Sequence, residues 1–198
     1  MRIIAGEARG RRIKSPRGRA TRPMRDFVRE AVFSMLGERV RGAAVLDLFA
    51  GSGSLGLEAL SRGAARAVFV DNSREPERII RENLDMLGMS GKGTVVRADV
   101  LDYLRKAAGM EGPYNLIFID PPYKIDLSYR QEVLKKLSAG GFLAPSAVVI
   151  IEAPLRSEPP KSQAGLVFRE RRKYGETAVD IYINEENNVK MREGPQRI

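Results

Sequence analysis

DLFAGSGSLG, residues 47–56, carries the spacing G-x-G-x-x-G at Gly51, Gly53 and Gly56. It lies between an apolar run, AAVLDLF (43–49), and a stretch with helical character, GSGSLGLEALSRGA. Glycines in such a turn permit positive φ and let a ligand come close to the backbone. Twenty residues beyond Gly51, the run RAVFVDNS (66–73) supplies an acid, Asp71, where a second strand should end. Strand, glycine turn, helix, strand and acid together predict a parallel α/β unit whose ligand lies beyond the carboxyl ends of the strands.

The alternation continues in both directions. EPERIIRENLDMLGM sets Ile79, Ile80, Leu84 and Leu87 on one side of a helix, and GTVVRADV is a third strand ending in Asp99. DYLRKAA reads as a short helix and YNLIFID (114–120) as a fourth strand. A helix near 129–138, a strand at AVVIIEA (147–153) and two tightly joined strands, LVFRERRKYG and TAVDIYIN, complete the series. Upstream, TRPMRDFVREAVFSMLGERV has helical spacing of Phe27, Val28, Ala31, Val32, Met35 and Leu36. The fold class is α/β, a mostly parallel sheet covered by helices on both faces, with an antiparallel edge. Asp71, Asp99 and Asp120 each end a strand and should face one crevice.

Composition narrows the chemistry. The chain has 198 residues, 43% hydrophobic, with no cysteine and no histidine. Disulfides, cysteine nucleophiles, Ser-His-Asp triads and the usual Cys/His zinc sites are excluded, and no metal is expected. No apolar stretch approaches the roughly 20 residues of a membrane helix, and the N-terminus lacks a signal-peptide core, so a cytoplasmic protein is expected. Of a net charge of +9, residues 1–41 hold twelve Lys/Arg against four acids. Arg9, Arg11, Arg12, Lys14, Arg17, Arg19, Arg22 and Arg25 are read as a nucleic-acid footprint. RIIAG and RRIKS around a glycine turn predict a small hairpin. The expected division is a basic hairpin extension at 1–22, a main domain at 23–184 and a polar tail at 185–198.

Two cofactors compete for the glycine loop. A nicotinamide dinucleotide would set its pyrophosphate on the helix N-terminus. S-adenosylmethionine would lie across Phe49, Ala50, Gly51, Ser52 and Gly53, with its amino-acid end near Asp47. Its ribose would be bound by Asp71 beside Asn72, and its adenine by Asp99 beside Val100. A carboxylate four residues before Gly51 suits an ammonium group better than a pyrophosphate. The missing His and Cys remove common partners of hydride transfer. Both points favour S-adenosylmethionine.

YNLIFIDPPYK (114–124) shows what the crevice acts on. An exocyclic amine on a nucleobase is a poor nucleophile, because its lone pair is delocalised into the ring. A fixed carboxylate, Asp120, and a carbonyl pinned by Pro121 and Pro122 can accept its N–H groups and orient the nitrogen. Tyr123 offers a face on which an extruded base can stack.

MRIIAG at 1–6, TRP at 21–23, DFVREAVFSML at 26–36, LDLFAGSGSLGLEALSRGA at 46–64, FIDPPY at 118–123 and YG at 174–175 resemble the bacterial 16S ribosomal RNA (guanine-N2)-methyltransferases of the RsmD type. The resemblance spans nearly the whole chain. It implies a Rossmann-like, seven-stranded class I methyltransferase fold with an N-terminal β-hairpin, S-adenosylmethionine as donor, and a guanine amino group of 16S rRNA as acceptor. The substrate is then expected within a partly assembled or mature small subunit. Its D/NPPY motif falls on Asp120, Pro121, Pro122 and Tyr123, its glycine motif on Asp47, Gly51 and Gly53, and its ribose acid on Asp71. The family usually has Thr where this chain has Met24, and often Glu where it has Asp71. The tetrapeptide alone leaves base and polymer open. Adenine-N6 methyltransferases of DNA or RNA and protein glutamine methyltransferases use related motifs. A non-catalytic RNA-binding assembly factor stands as the reading from another class.

Overall fold

In the computed structural model, which describes residues 1–16 and 26–185, seven apolar runs build one sheet. The strands are β1 (Ala44–Leu48), β2 (Arg66–Asp71), β3 (Gly93–Arg97), β4 (Tyr114–Ile119), β5 (Leu143–Pro154), β6 (Leu166–Tyr174) and β7 (Thr177–Asn184). Their order is β3-β2-β1-β4-β5-β7-β6. The first five run parallel; β7 enters antiparallel against β5, and β6 pairs antiparallel at the edge. The five parallel strands have helical crossovers, as parallel pairing demands. β6 and β7 need only Gly175 and Glu176 between them, with Gly175 at φ 61°.

The helices are α1 (Asp26–Leu36), α2 (Ser54–Ser61), α3 (Arg74–Leu87), α4 (Val100–Lys106) and α5 (Leu127–Ala139). Side chains alternate along each strand, so the sheet has two apolar faces. Val45, Phe69, Phe118, Ile150 and Ile181 pack against α1, α2 and α3, while Leu46, Ile117, Val149 and Tyr182 pack against α4 and α5. Asp47, Asp71 and Asp120 follow the parity of Val45, Phe69 and Phe118. They therefore belong to the first face, at its carboxyl end.

The N-terminus is part of that first layer. One antiparallel bridge, Arg2 to Arg12, and the bonds Ile3 N–H to Arg11 O and Ile13 N–H to Met1 O fold residues 1–13 back on themselves. This is the expected hairpin reduced to a single bridge, because the N–H groups of Ile4, Ala5, Glu7 and Ala8 turn to α2 instead. Ile4 and Ala5 donate to Glu58 Oε2 and Oε1 at 2.8 and 3.0 Å, and Ala8 donates to Ser61 Oγ at 3.0 Å. Gly6 lies so close to α2 that a Cβ there would sit 1.8 Å from the Ser61 carbonyl oxygen. Ile3, Ala8 and Ile13 are buried in the core beneath. The segment is thus built into the domain, and a boundary at residue 22 lies outside the described residues.

Glu58, fully buried, holds this layer together. Arg62 Nε lies 2.7 Å from Oε1 and the buried Arg29 Nε 3.8 Å from Oε2. Arg29 also donates to the Arg2 carbonyl at 2.6 Å. Glu58→Ala leaves two backbone N–H groups without their acceptor and the buried Arg29 charge with Asp26 alone, at 3.1 Å. It should destabilise the protein by about 3–5 kcal/mol, as breaking a buried ion pair does. Urea denaturation of the two proteins measures this, and a loss within the range of a surface substitution would contradict it.

Candidate active site

The carboxyl ends of β1, β2, β3 and β4 and their following loops enclose a crevice of about 980 Å³, within the range of ligand pockets. Phe49, Ala50, Gly51, Ser52, Asp71, Asn72, Asp99 and Val100 line it, together with Asp120, Pro121, Pro122 and Tyr123. The glycine loop and the DPPY motif are therefore brought to one cavity, as the strand order requires.

Asp47 and Gly53 lie behind the lining. Asp47, buried at 1% exposure, accepts from the Gly56 N–H at 2.9 Å and so ties the end of β1 to the first turn of α2. Gly53, at φ 77°, caps α2 in the left-handed region, and a Cβ there would lie 3.1 Å from Ile80 Cγ1. That glycine permits close packing of α2 against α3.

The remaining acids are held by local bonds. Asp71 accepts from Gly51 N–H at 3.1 Å and from Ser73 N–H at 3.0 Å, which fixes the glycine loop to the end of β2. Asp99 caps α4 through Leu101 and Asp102 N–H, while its second oxygen accepts from Tyr129 OH at 3.1 Å. Asp120 N–H donates to Leu48 O at 3.4 Å, and Pro122 O accepts from Ile125 N–H at 2.9 Å. That turn carries Tyr123, half-exposed, whose hydroxyl meets Thr177 Oγ1 at 3.1 Å.

Electrostatics sets Asp47 and Asp120 apart from ordinary surface acids. Burial raises the Asp47 carboxyl well above the usual range; the Gly56 bond opposes this, and the nearby charges of Asp120 and Asp71 add to it. Burial pushes Asp120 up to about 7. Among the described residues no lysine or arginine is bonded to either. The crevice floor thus favours any ligand that brings positive charge.

Several residues of the site lack a motif. Ser15, Pro16, Lys124, Ile125 and Tyr129 also line the crevice. Asn83, buried on α3, accepts from Lys14 N–H at 2.8 Å and donates to Lys14 O and Ser52 O at 3.0 and 3.1 Å. One amide therefore clamps the N-terminal segment to the glycine loop. Helical spacing could mark Asn83 as a polar residue on an apolar face, but its partners are distant in sequence.

The eight basic residues assigned to nucleic acid divide. Arg9 and Arg12 are exposed. Lys14 pairs with Glu82 at 2.9 Å, and Arg11 donates to the Met86 carbonyl. Arg17, Arg19, Arg22 and Arg25 lie outside the described residues. Among the described residues no cluster of three or more acids, His or Cys could hold a metal, and no helix is long and apolar enough to cross a membrane.

A parallel sheet of this order, with an inserted antiparallel strand and a glycine loop after β1, is the class I methyltransferase fold. An RNA methyltransferase from Salinibacter ruber, solved in complex with S-adenosyl-L-homocysteine, shares that fold at a TM-score of 0.62 and 16% identity, covering 89% of this chain and 98% of its own. The family described as Conserved hypothetical protein 95 matches residues 1–183, and the chain belongs to it. Ribosomal RNA small subunit methyltransferase D of Escherichia coli strain K12 is 34% identical over 185 residues, 93% of this chain and 90% of that protein. The solved structure of yhhF from Escherichia coli superposes with a TM-score of 0.81 at 34% identity, covering 93% of this chain and 98% of that one. These relatives place the chain in the RsmD family.

The displaced acidity of Asp120 has a measurable sign. Its folded pKa, about 7, exceeds the roughly 4 of an unfolded chain. The folded state therefore binds the proton more tightly, and stability falls as pH rises from about 4 to about 7, then levels. Asp120→Asn should remove this part of the fall, leaving the share that Asp47 contributes in the same direction. Denaturation midpoints at about pH 5 and about pH 8 test it. Equal differences in wild type and Asp120→Asn would contradict the assignment.

Proposed function

We propose that this protein transfers a methyl group from S-adenosylmethionine to the exocyclic N2 amine of a guanine in 16S rRNA. The observation that carries this reading is the placement of Asp120, a partly buried acceptor, in one crevice with the glycine loop and the half-exposed ring of Tyr123.

The residues fit this cofactor better than a dinucleotide. The first turn of α2, where a pyrophosphate would be bound, already has the Asp47 carboxylate on its Gly56 N–H. A phosphate there would meet a carboxylate; a sulfonium and an ammonium would meet favourable charge. Asp71 and Asn72 would hold the ribose hydroxyls. Asp99, Val100 and the Tyr129 ring would hold the adenine. S-adenosylmethionine supplies an electrophilic methyl group on a positively charged sulfur.

The chain's own residues would do the rest by positioning. Tyr123 stacks on the extruded base, and its hydroxyl bond to Thr177 keeps the ring from turning away. Asp120 accepts from the target amine, aligns its nitrogen, and stabilises the positive charge that grows there. With a carboxyl near neutrality, Asp120 can also receive the proton that the amine loses. The family relationship and the name of the Escherichia coli relative support small-subunit rRNA as the polymer. Arg9 and Arg12 are suited to contact its phosphates.

Asp120→Ala should abolish methylation while cofactor affinity stays within a few-fold, and Asp120→Asn should keep a residual rate. Asp71→Ala should weaken cofactor binding by about 1–3 kcal/mol, through lost charge-assisted bonds. Labelled-methyl transfer to rRNA and to partly assembled small subunits, followed by nucleoside analysis, tests the whole reading. N2-methylguanosine is expected. Methylated adenine or glutamine would overturn the acceptor, and full activity of Asp120→Ala would overturn the mechanism.

A further inference from the structure

Phe27 opens α1 and is 66% exposed, whereas Val28, Val32 and Phe33 of the same helix are buried. Its ring is nevertheless held: it meets Tyr174 edge-on, with centroids 5.7 Å apart and planes at 81°. Tyr174 ends β6, and its direct cross-strand partner is Thr177, the residue whose hydroxyl meets Tyr123 OH at 3.1 Å. Directly opposed residues of an antiparallel pair present their side chains on one face. A continuous line therefore runs from Tyr123 at the crevice, through Thr177 and Tyr174, to Phe27 on the surface.

We propose that Phe27 and Tyr174 form a stacking ledge for an unpaired nucleotide that flanks the target base. This rests on the reading of an RNA substrate given above. Extruding a base requires locally unpaired RNA, so its neighbours are free to stack elsewhere. A large exposed ring already ordered by an edge-on partner offers a π-face with little loss of side-chain freedom. Cationic groups lie along the same line. Lys124 is exposed beside Tyr123, and Arg172, two residues before Tyr174 on β6, pairs with Glu170 at 2.8 Å. An aromatic surface interleaved with Lys and Arg matches single-stranded nucleic acid. Every base has a π-face, so the ledge would add affinity with little sequence preference.

The test uses full-length protein and fluorescent single-stranded RNA oligomers, with affinity measured over a series of salt concentrations. Phe27→Ala should weaken binding about tenfold, as loss of one base–aromatic stack does, without changing the slope of affinity against salt. Phe27→Leu, which keeps apolar area but no ring, should lose nearly as much, and Phe27→Trp should restore binding. Cofactor affinity and melting temperature report that each variant is folded. Wild-type affinity in Phe27→Ala, with RNA methylation by the wild type intact, overturns the ledge alone. A loss seen only with assembled subunits and not with naked RNA makes the surface a protein contact and overturns it too. A wild type that binds no RNA overturns the substrate reading and the ledge with it.

Discussion

Glu58 keeps a carboxylate where no water reaches it, one turn into the helix that the glycine loop opens. A buried charge costs several kcal/mol unless it is paired. Its partners come from three parts of the chain: the N–H groups of Ile4 and Ala5, the guanidinium of Arg62, and that of Arg29 on α1. The N-terminal segment, α1 and α2 can therefore close only together. From there the chain runs on to Lys14, which Asn83 grips while the same amide holds Ser52 O. The glycine side of the crevice thus stands on a polar scaffold anchored outside the sheet, and a change at the N-terminus reaches the site through named bonds.

The same face of the sheet carries an unfavourable arrangement. Asp47, Asp71 and Asp120 end neighbouring strands with like charge, and burial raises Asp47 and Asp120 further. Asp47 and Asp71 hold backbone N–H groups of the loop, but the mutual repulsion of three acids at this spot works against stability. The arrangement is favourable once positive charge develops beside it, as on the acceptor amine at Asp120, because that charge offsets the repulsion. Charge stabilisation in the crevice and stability of the empty protein therefore oppose each other at the same residues.

Much of this could be read from residues, and the limits have physical causes. The parallel strands were legible because both faces of the sheet are buried, which leaves continuous apolar runs such as YNLIFI. The shared crevice followed from strand-end acids and the geometry of parallel sheets. Asp47 shows what a motif does not announce: the pleat turns it beneath the loop, where it also accepts from Gly56 N–H. Gly53 likewise carries the motif's pattern and is also required by the packing of Ile80. Thr177, Tyr129 and Asn83 could not be found, because each acts through a partner between 30 and 69 residues away. The N-terminal basic segment was legible as charge but not as core. Ile3, Ala8 and Ile13 are too sparse to register as a buried element until α2 is placed beside them.

Phe49 shows how these local decisions combine. It stands between Asp71 and Asp120 at the end of β1 with φ at 61°, a left-handed conformation that costs a residue with a Cβ about 1–2 kcal/mol. Such strain persists only where the surroundings fix it. Ala50 N–H is bonded to Val70 O and Gly51 N–H to Asp71, so the chain beyond Phe49 has no freedom to relax. The Phe49 ring faces Tyr129 across 6.1 Å, Tyr129 OH donates to Asp99, and Asp99 caps α4. A single strained turn thereby sets the wall between the glycine loop and the α4–α5 side of the crevice. A residue there whose side chain no longer reaches Tyr129 would keep the strained backbone but loosen the pocket on its α4–α5 side.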